Sequence, residues 1–220
     1  MSKDRDLTKL LGRHQEHDPR SKQFPAAQAV AIKSVEWQFH GQVLDQGQLG
    51  SCTGNAGVDT MMTGPYWDHL KRTFVEADAV ALYEVATHID RVPGSYPPND
   101  TGSSGLAVCR AMKMRGWISA YHHAFGVHHA LGALMLAPVM VGIPWYERMF
   151  DPDPDGTVHV GGGVAGGHEI CCLGYDTGTR KLKFLNSWGT GWGAAGYFFM
   201  SDGDFASLLA QGGDVAVPVI

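Results

Sequence analysis

The chain has 220 residues, 44% of them hydrophobic, and a formal net charge of -5. That length suits one large domain or two small lobes sharing an interface. The mild acidity excludes the basic footprint of a nucleic-acid binder, and no run of about 18 apolar residues is present to span a membrane as a helix.

Residues 1 to about 27 are polar, with Asp18-Pro19-Arg20-Ser21 and Phe24-Pro25, and read as an extended arm with a short helix at Leu7 to Leu11. The start, Met1-Ser2-Lys3-Asp4-Arg5-Asp6, is charged and has no apolar core behind it, which is unlike a secretory signal and favours a cytoplasmic location. Val35-Glu36-Trp37 alternates like a strand, and a turn-rich stretch runs from Gly41 to Gly50. Ser51 is placed to cap a helix from Cys52 to about Thr63. A second helix is expected over Asp78 to Ile89. A loop rich in Pro, Gly and Asn follows, from Pro93 to Gly102. A third helix is expected over Ser104 to Arg115, closed by Gly116.

The second half changes character. Ala137 to Pro144 and Glu169 to Tyr175 are apolar runs of strand length, Lys181 to Asn186 alternates, and Gly196 to Ser201 is aromatic and strand-like. Turn clusters at Asp151 to Gly156 and Asp176 to Gly178 separate them. Helices first and strands second predict an α+β protein of two lobes.

The four cysteines are Cys52, Cys109, Cys171 and Cys172. Adjacent Cys171 and Cys172 would point to opposite faces of a strand and cannot bridge each other there. Four scattered thiols in a chain this long do not form a disulfide scaffold. Three buried thiols and one special one is the simplest reading.

Three segments carry chemistry. In Gln46-Gly47-Gln48-Leu49-Gly50-Ser51-Cys52, the cysteine opens a helix after a glycine-rich turn, and a helix N-terminus favours the thiolate. On that segment alone a buried structural cysteine is an equal reading. In Gly166-Gly167-His168-Glu169-Ile170, a histidine with an open approach precedes an apolar strand. In Asn186-Ser187-Trp188-Gly189-Thr190-Gly191-Trp192-Gly193, two Trp-Gly pairs four residues apart close a strand. Each segment singly fits ordinary packing.

Together, in this order and with Gln46 six residues before Cys52, they resemble the papain family of cysteine peptidases. The likeness extends over roughly residues 35 to 201 and is closest to compact bacterial and phage-type members with a Gln-Gly-x-Leu-Gly-Ser-Cys-Thr motif. It implies a helical lobe at about 40–125. It also implies an antiparallel, β-barrel-like lobe at about 126–220 that includes the N-terminal strand. The arm, 1–27, would lie outside this 28–220 peptidase domain, and the cleft would run between the lobes. The implied catalytic set is Cys52 as nucleophile, His168 as base, Asn186 orienting the imidazole and Gln46 in the oxyanion hole, with Trp188 shielding the His–Asn bond. The implied substrate-binding walls are Gly50, Ser51, Gly102, Ser103, Ser104, Gly105, Leu106, Gly142, Gly166 and Gly167. Small residues there suggest a roomy subsite.

The implied partner is a peptide or protein substrate, with no cofactor, metal, nucleic acid or membrane; any larger assembly is left open. The chain departs in several places from the family's plant and lysosomal members. Thr53 replaces an aromatic residue, and Leu49 replaces a disulfide cysteine. Glu169 stands where a small apolar residue is usual, and is placed either on the leaving-group side or behind the imidazole. About 30 residues precede Val35, too few to block the cleft as a helical propeptide does. The leading function is an endopeptidase acting through a thioester. A transpeptidase or amidase, or a mainly structural protein, is the alternative.

Three other motifs imitate ligand sites. Asp151 to Gly156 imitates an EF-hand start, but Gly162 stands at the twelfth position and a plain turn is preferred. His122-His123 and His128-His129 fit no standard metal spacing and read as a polar connection between lobes. Gly161-Gly162-Gly163 opens no helix after a strand and is not a phosphate loop.

Overall fold

The computed structural model describes residues 11–16 and 31–220; the expected helix at Leu7 to Leu11 falls almost wholly outside them. Strand β1 (Val35–Glu36) leads into four helices: α1 (Cys52–Met61), α2 (Gly64–Leu70), α3 (Glu76–Ile89) and α4 (Gly105–Met114). Then come β2 (Ala120–Ala124), α5 (Val127–Leu134) and β3 (Val139–Tyr146), with a 3-10 turn at Glu147–Phe150. The chain continues through β4 (Val164–Asp176), β5 (Lys181–Leu185), β6 (Tyr197–Ser201), α6 (Asp202–Ala210) and β7 (Asp214–Val219). The architecture is α+β. One antiparallel sheet runs in the order β2-β7-β3-β4-β5-β6, with β1 added on β4. It is an open sheet rather than a closed barrel.

Helix α1 is buried along its whole length. It carries small residues because it has neighbours on all sides. A Cβ on Gly54 would lie 2.3 Å from the Ala79 carbonyl of α3, and one on Gly57 would lie 2.7 Å from Val108 of α4. Val58, Met61, Leu82, Val108 and Met112 form the helical core, which continues onto Met140 of β3 and Ala216 of β7. Their strand neighbours Val139, Val141 and Val215 face the other way, into an aromatic core with Trp145, Trp188, Trp192, Phe184 and Phe198. The sheet therefore has a helix-facing and an aromatic-facing side, by the two-residue strand period. Cys171 and Cys172 fall into separate clusters on that same alternation, and all four cysteines are free and buried.

Several elements depart from the sequence expectation. β4 starts at Val164, so Gly166 and Gly167 belong to the strand rather than to its approach. His122 and His123 lie in β2, paired with β7, and His128 and His129 lie in α5. These histidines are parts of regular elements, not a polar connection. Asp151 to Gly156 is a turn, closed by Gly156 N–H to the Asp153 carbonyl (2.8 Å) and Asp153 N–H to the Thr157 carbonyl (2.8 Å).

Candidate active site

Cys52 is the first residue of α1 and has no exposed surface. Ser51 takes the N-cap position without capping; its hydroxyl donates to Asn55 Oδ1 instead (3.0 Å). The backbone N–H groups of Glu169 and Gly12 are near enough to the sulfur to act on its protonation. The first of these joins α1 to β4 at the residue after His168, so the helical and sheet sides meet at this thiol. Burial pushes the Cys52 thiol up to about 12, against the pull of the two N–H donors.

His168 Nε2 donates to Asn186 Oδ1 (2.8 Å). The same oxygen accepts the Ser187 N–H (2.9 Å), which fixes the amide orientation and so the imidazole tautomer. The proton resides on Nε2, and Nδ1 keeps its lone pair with no hydrogen-bond partner. Burial depresses His168 to about 4, with the Asn186 bond opposing. Burial thus works against charge on both the thiol and the imidazole.

Trp188 lies over the imidazole with ring centres 4.7 Å apart, and Trp145 meets it edge-on at 5.0 Å. Both exclude water from the His–Asn bond. Gln46 is tied to the same loop. Its backbone N–H donates to the Ser187 carbonyl (3.0 Å), its Oε1 accepts Ser187 Oγ–H (2.7 Å), and its Nε2 donates to the Leu49 carbonyl (2.7 Å). A continuous set of bonds therefore links Gln46, Ser187, Asn186 and His168.

What closes the site is the chain's own arm. Arg13 N–H donates to the Gly167 carbonyl (3.0 Å) on the sheet side. On the helical side Ser103 N–H donates to the Gly12 carbonyl (2.7 Å) and His14 N–H to the Ser103 carbonyl (2.6 Å). Arg13 so pairs with Ser103 as a parallel bridge. Leu11 packs on Gly166, and Gly12 on the Gly50 backbone. His14 Nε2–H donates to the Thr101 carbonyl (2.6 Å), and Ser104 Oγ–H to Glu16 (2.8 Å). The residues before Val35 were expected to be too few to block the cleft as a helical propeptide does; residues 11–16 lie against both sides of it without forming a helix.

A sequence profile of the papain family cysteine proteases matches residues 94–211, more than half the chain. The chain belongs to the papain family of cysteine proteases. The match covers His168 and Asn186, while Gln46 and Cys52 precede it. An uncharacterised peptidase C1-like protein of Acanthamoeba polyphaga mimivirus is 21% identical over 80% of this protease and 71% of its own length. A cathepsin B-like cysteine proteinase 6 of Caenorhabditis elegans is 35% identical over 66% of the protease and 37% of its own length. Among solved structures, xylellain, a cysteine protease from Xylella fastidiosa, superposes with a TM-score of 0.73 at 18% identity, covering 95% of each chain.

The expected walls of the protease's groove are divided by the structure. Gly50, Gly102, Ser103, Ser104, Gly166 and Gly167 touch the arm directly. Gly105 and Gly142 line a recess beneath Arg13: their missing Cβ atoms would lie 2.5 Å from Glu169 Oε1 and from Arg13 Nε respectively. Trp188 covers His168, while Ser51 and Leu106 are buried in the helical half. Glu169 does not lie behind the imidazole. Its carboxylate faces α4 and Gly142, on the opposite side of β4 from His168. Sequence reasoning missed Asp214 altogether. The available signal was chemical: an acidic residue inside each of two apolar strands must have a buried partner.

Proposed function

We propose that the protein is a cysteine endopeptidase, and that Cys52, His168, Asn186 and Gln46 carry the reaction. The observation that supports this most is the imidazole held by Asn186 with its Nδ1 lone pair unengaged, on the strand residue next to Glu169, whose backbone N–H acts on the buried Cys52 thiol. With the arm withdrawn and water admitted, Cys52 passes its proton to His168 Nδ1, and each charge stabilises the other. The sulfur attacks a peptide carbonyl. Developing negative charge on that oxygen is met by the Cys52 N–H at the start of α1 and by Gln46 Nε2, each contributing about 3 kcal/mol. His168 protonates the leaving amine, and a thioester remains on Cys52. Water, deprotonated by His168, then releases the acid.

The arm's own contacts favour a peptide substrate. Its backbone is read by Ser103 and Gly167 as an extended chain, and it runs on past the sulfur in both directions, from Leu11 to Glu16.

The test is digestion of an unfolded protein by the full chain carrying Arg13→Ala, with products mapped by mass spectrometry. Internal cleavage is expected, and its loss in the Cys52→Ala double variant. No cleavage, or cleavage that survives Cys52→Ala, contradicts the proposal.

A further inference from the structure

Three adjacent strands place Asp214, Gly142 and Glu169 in one row. Gly142 of β3 is in register with Glu169 of β4 on one side and with Asp214 of β7 on the other. All three face the helical half, as their alternation with Met140, Cys171 and Ala216 requires. The glycine between two carboxylates leaves a recess, and Gly105 at the start of α4 leaves its opposite wall open. Arg13 fills that space. Its Nη2 donates to Asp214 Oδ1 and to the Gly212 carbonyl (3.0 Å), while Nε stands 3.9 Å from Glu169 Oε2.

Burying two carboxylates side by side is unfavourable unless a cation joins them. Here they are nearly free of solvent, and neither Glu169 oxygen has a hydrogen-bond partner. Nothing in the folding of the two strands demands acids at these positions; apolar residues would pack the recess at lower cost. The acceptors surround a planar group: two carboxylates and one carbonyl, set at different donors of one guanidinium. A fork of this kind suits arginine, whereas a lysine ammonium is a single point charge. The recess also lies one residue along from Gly12, whose N–H contacts the Cys52 sulfur.

We propose that the recess formed by Glu169, Asp214 and the Gly212 carbonyl is a recognition subsite for an arginine side chain of the substrate, which Arg13 fills in its absence. The proposal rests on the peptidase reading for the substrate's role but not for the binding itself, so two measurements separate them.

The first uses full-length chain with Arg13→Ala and peptide pools in which arginine, lysine, leucine or glutamate is placed in turn at each position flanking the cleaved bond. Arginine should be favoured at one position by at least about tenfold over leucine, with lysine between, and Glu169→Gln and Asp214→Asn should each remove that preference. Cleavage with no arginine preference, or a preference that survives both substitutions, overturns the proposal. The second needs no catalysis. Alkylation of Cys52 by iodoacetamide in the Arg13→Ala chain is followed by peptide mapping. It should slow on adding the peptide acetyl-Leu-Gly-Arg-His-amide and not its Leu-Gly-Leu-His counterpart, and protection should vanish with Asp214→Asn. Equal protection by both peptides, or by neither, overturns the subsite. Selective protection without any peptide cleavage upholds the subsite and removes the peptidase reading.

Discussion

At His168 one hydrogen bond decides the protonation pattern. Because Ser187 N–H and His168 Nε2 converge on the same Asn186 oxygen, the imidazole presents a basic Nδ1 and no other tautomer is compatible. Gln46 is fixed comparably, between Ser187 Oγ and the Leu49 carbonyl. If its amide stabilises developing charge and not the bound substrate, Gln46→Ala in the Arg13→Ala background lowers kcat about 10²- to 10³-fold with KM little changed. Steady-state kinetics on a fluorogenic peptide check this, and an effect confined to KM contradicts it. These four positions were legible because the chemistry forces residue type and spacing together. The pairing of Glu169 with Asp214 was not: they are 45 positions apart in the numbering of a chain whose strand register alone makes them neighbours, across Gly142.

Helix α1 shows why an element can be recognised by its boundary more readily than by its face. The Gly50-Ser51-Cys52 start was readable, yet α1 has no polar side to give it a helical period, since all ten of its residues are buried. Gly54 is the closest approach. The Ala79 carbonyl, a backbone atom of α3, stands 2.3 Å from a Cβ placed there and cannot rotate away. Gly54→Ala should therefore cost about 1–3 kcal/mol by overpacking, or roughly 2–4 °C of Tm per kcal/mol in a chain of this size. Thermal unfolding measures it; an unchanged Tm contradicts the packing described. In β3, Gly142→Ala places a Cβ 2.5 Å from both Arg13 Nε and Asp214 Oδ1. The arm should leave and Cys52 be alkylated at least about tenfold faster than in the wild type, a change of roughly 1.4 kcal/mol in the closed state. Three of the elements that sequence patterning did not reveal share a cause. β2 is polar because its histidines ride on β7, while α2 and α5 are only seven and eight residues long. Tertiary partners, not local propensity, define them.

Over the whole molecule the arm, the two halves and the site's protonation are linked. His168 is fully buried among Trp145, Trp188 and Asn186, and burial favours its neutral form. Its folded value, about 4, lies below its ordinary 6.5, so this contribution to stability is complete above 6.5 and is lost as pH falls from 6.5 towards 4. The size is about 3 kcal/mol by the shift alone. Glu169 acts in the opposite sense: burial, then Asp214, raise its affinity for a proton, so its contribution weakens as pH rises through its folded value. Comparing wild type with His168→Gln isolates the histidine. Denaturant titrations should show the wild type losing stability relative to the variant across that acid window, and a difference independent of pH contradicts a buried neutral imidazole. Removing one member of a sealed ion pair costs about 3–5 kcal/mol. Arg13→Ala should cost less, because the arm can withdraw and let water reach Glu169 and Asp214. The most direct test is an acid-quenched intact-mass measurement of the Arg13→Ala chain mixed with a peptide ester. One acyl group should appear on Cys52 within the turnover time and be absent from Cys52→Ala and His168→Ala. Hydrolysis of the ester with no acyl group ever found on Cys52, or undiminished hydrolysis by Cys52→Ala, would contradict the account.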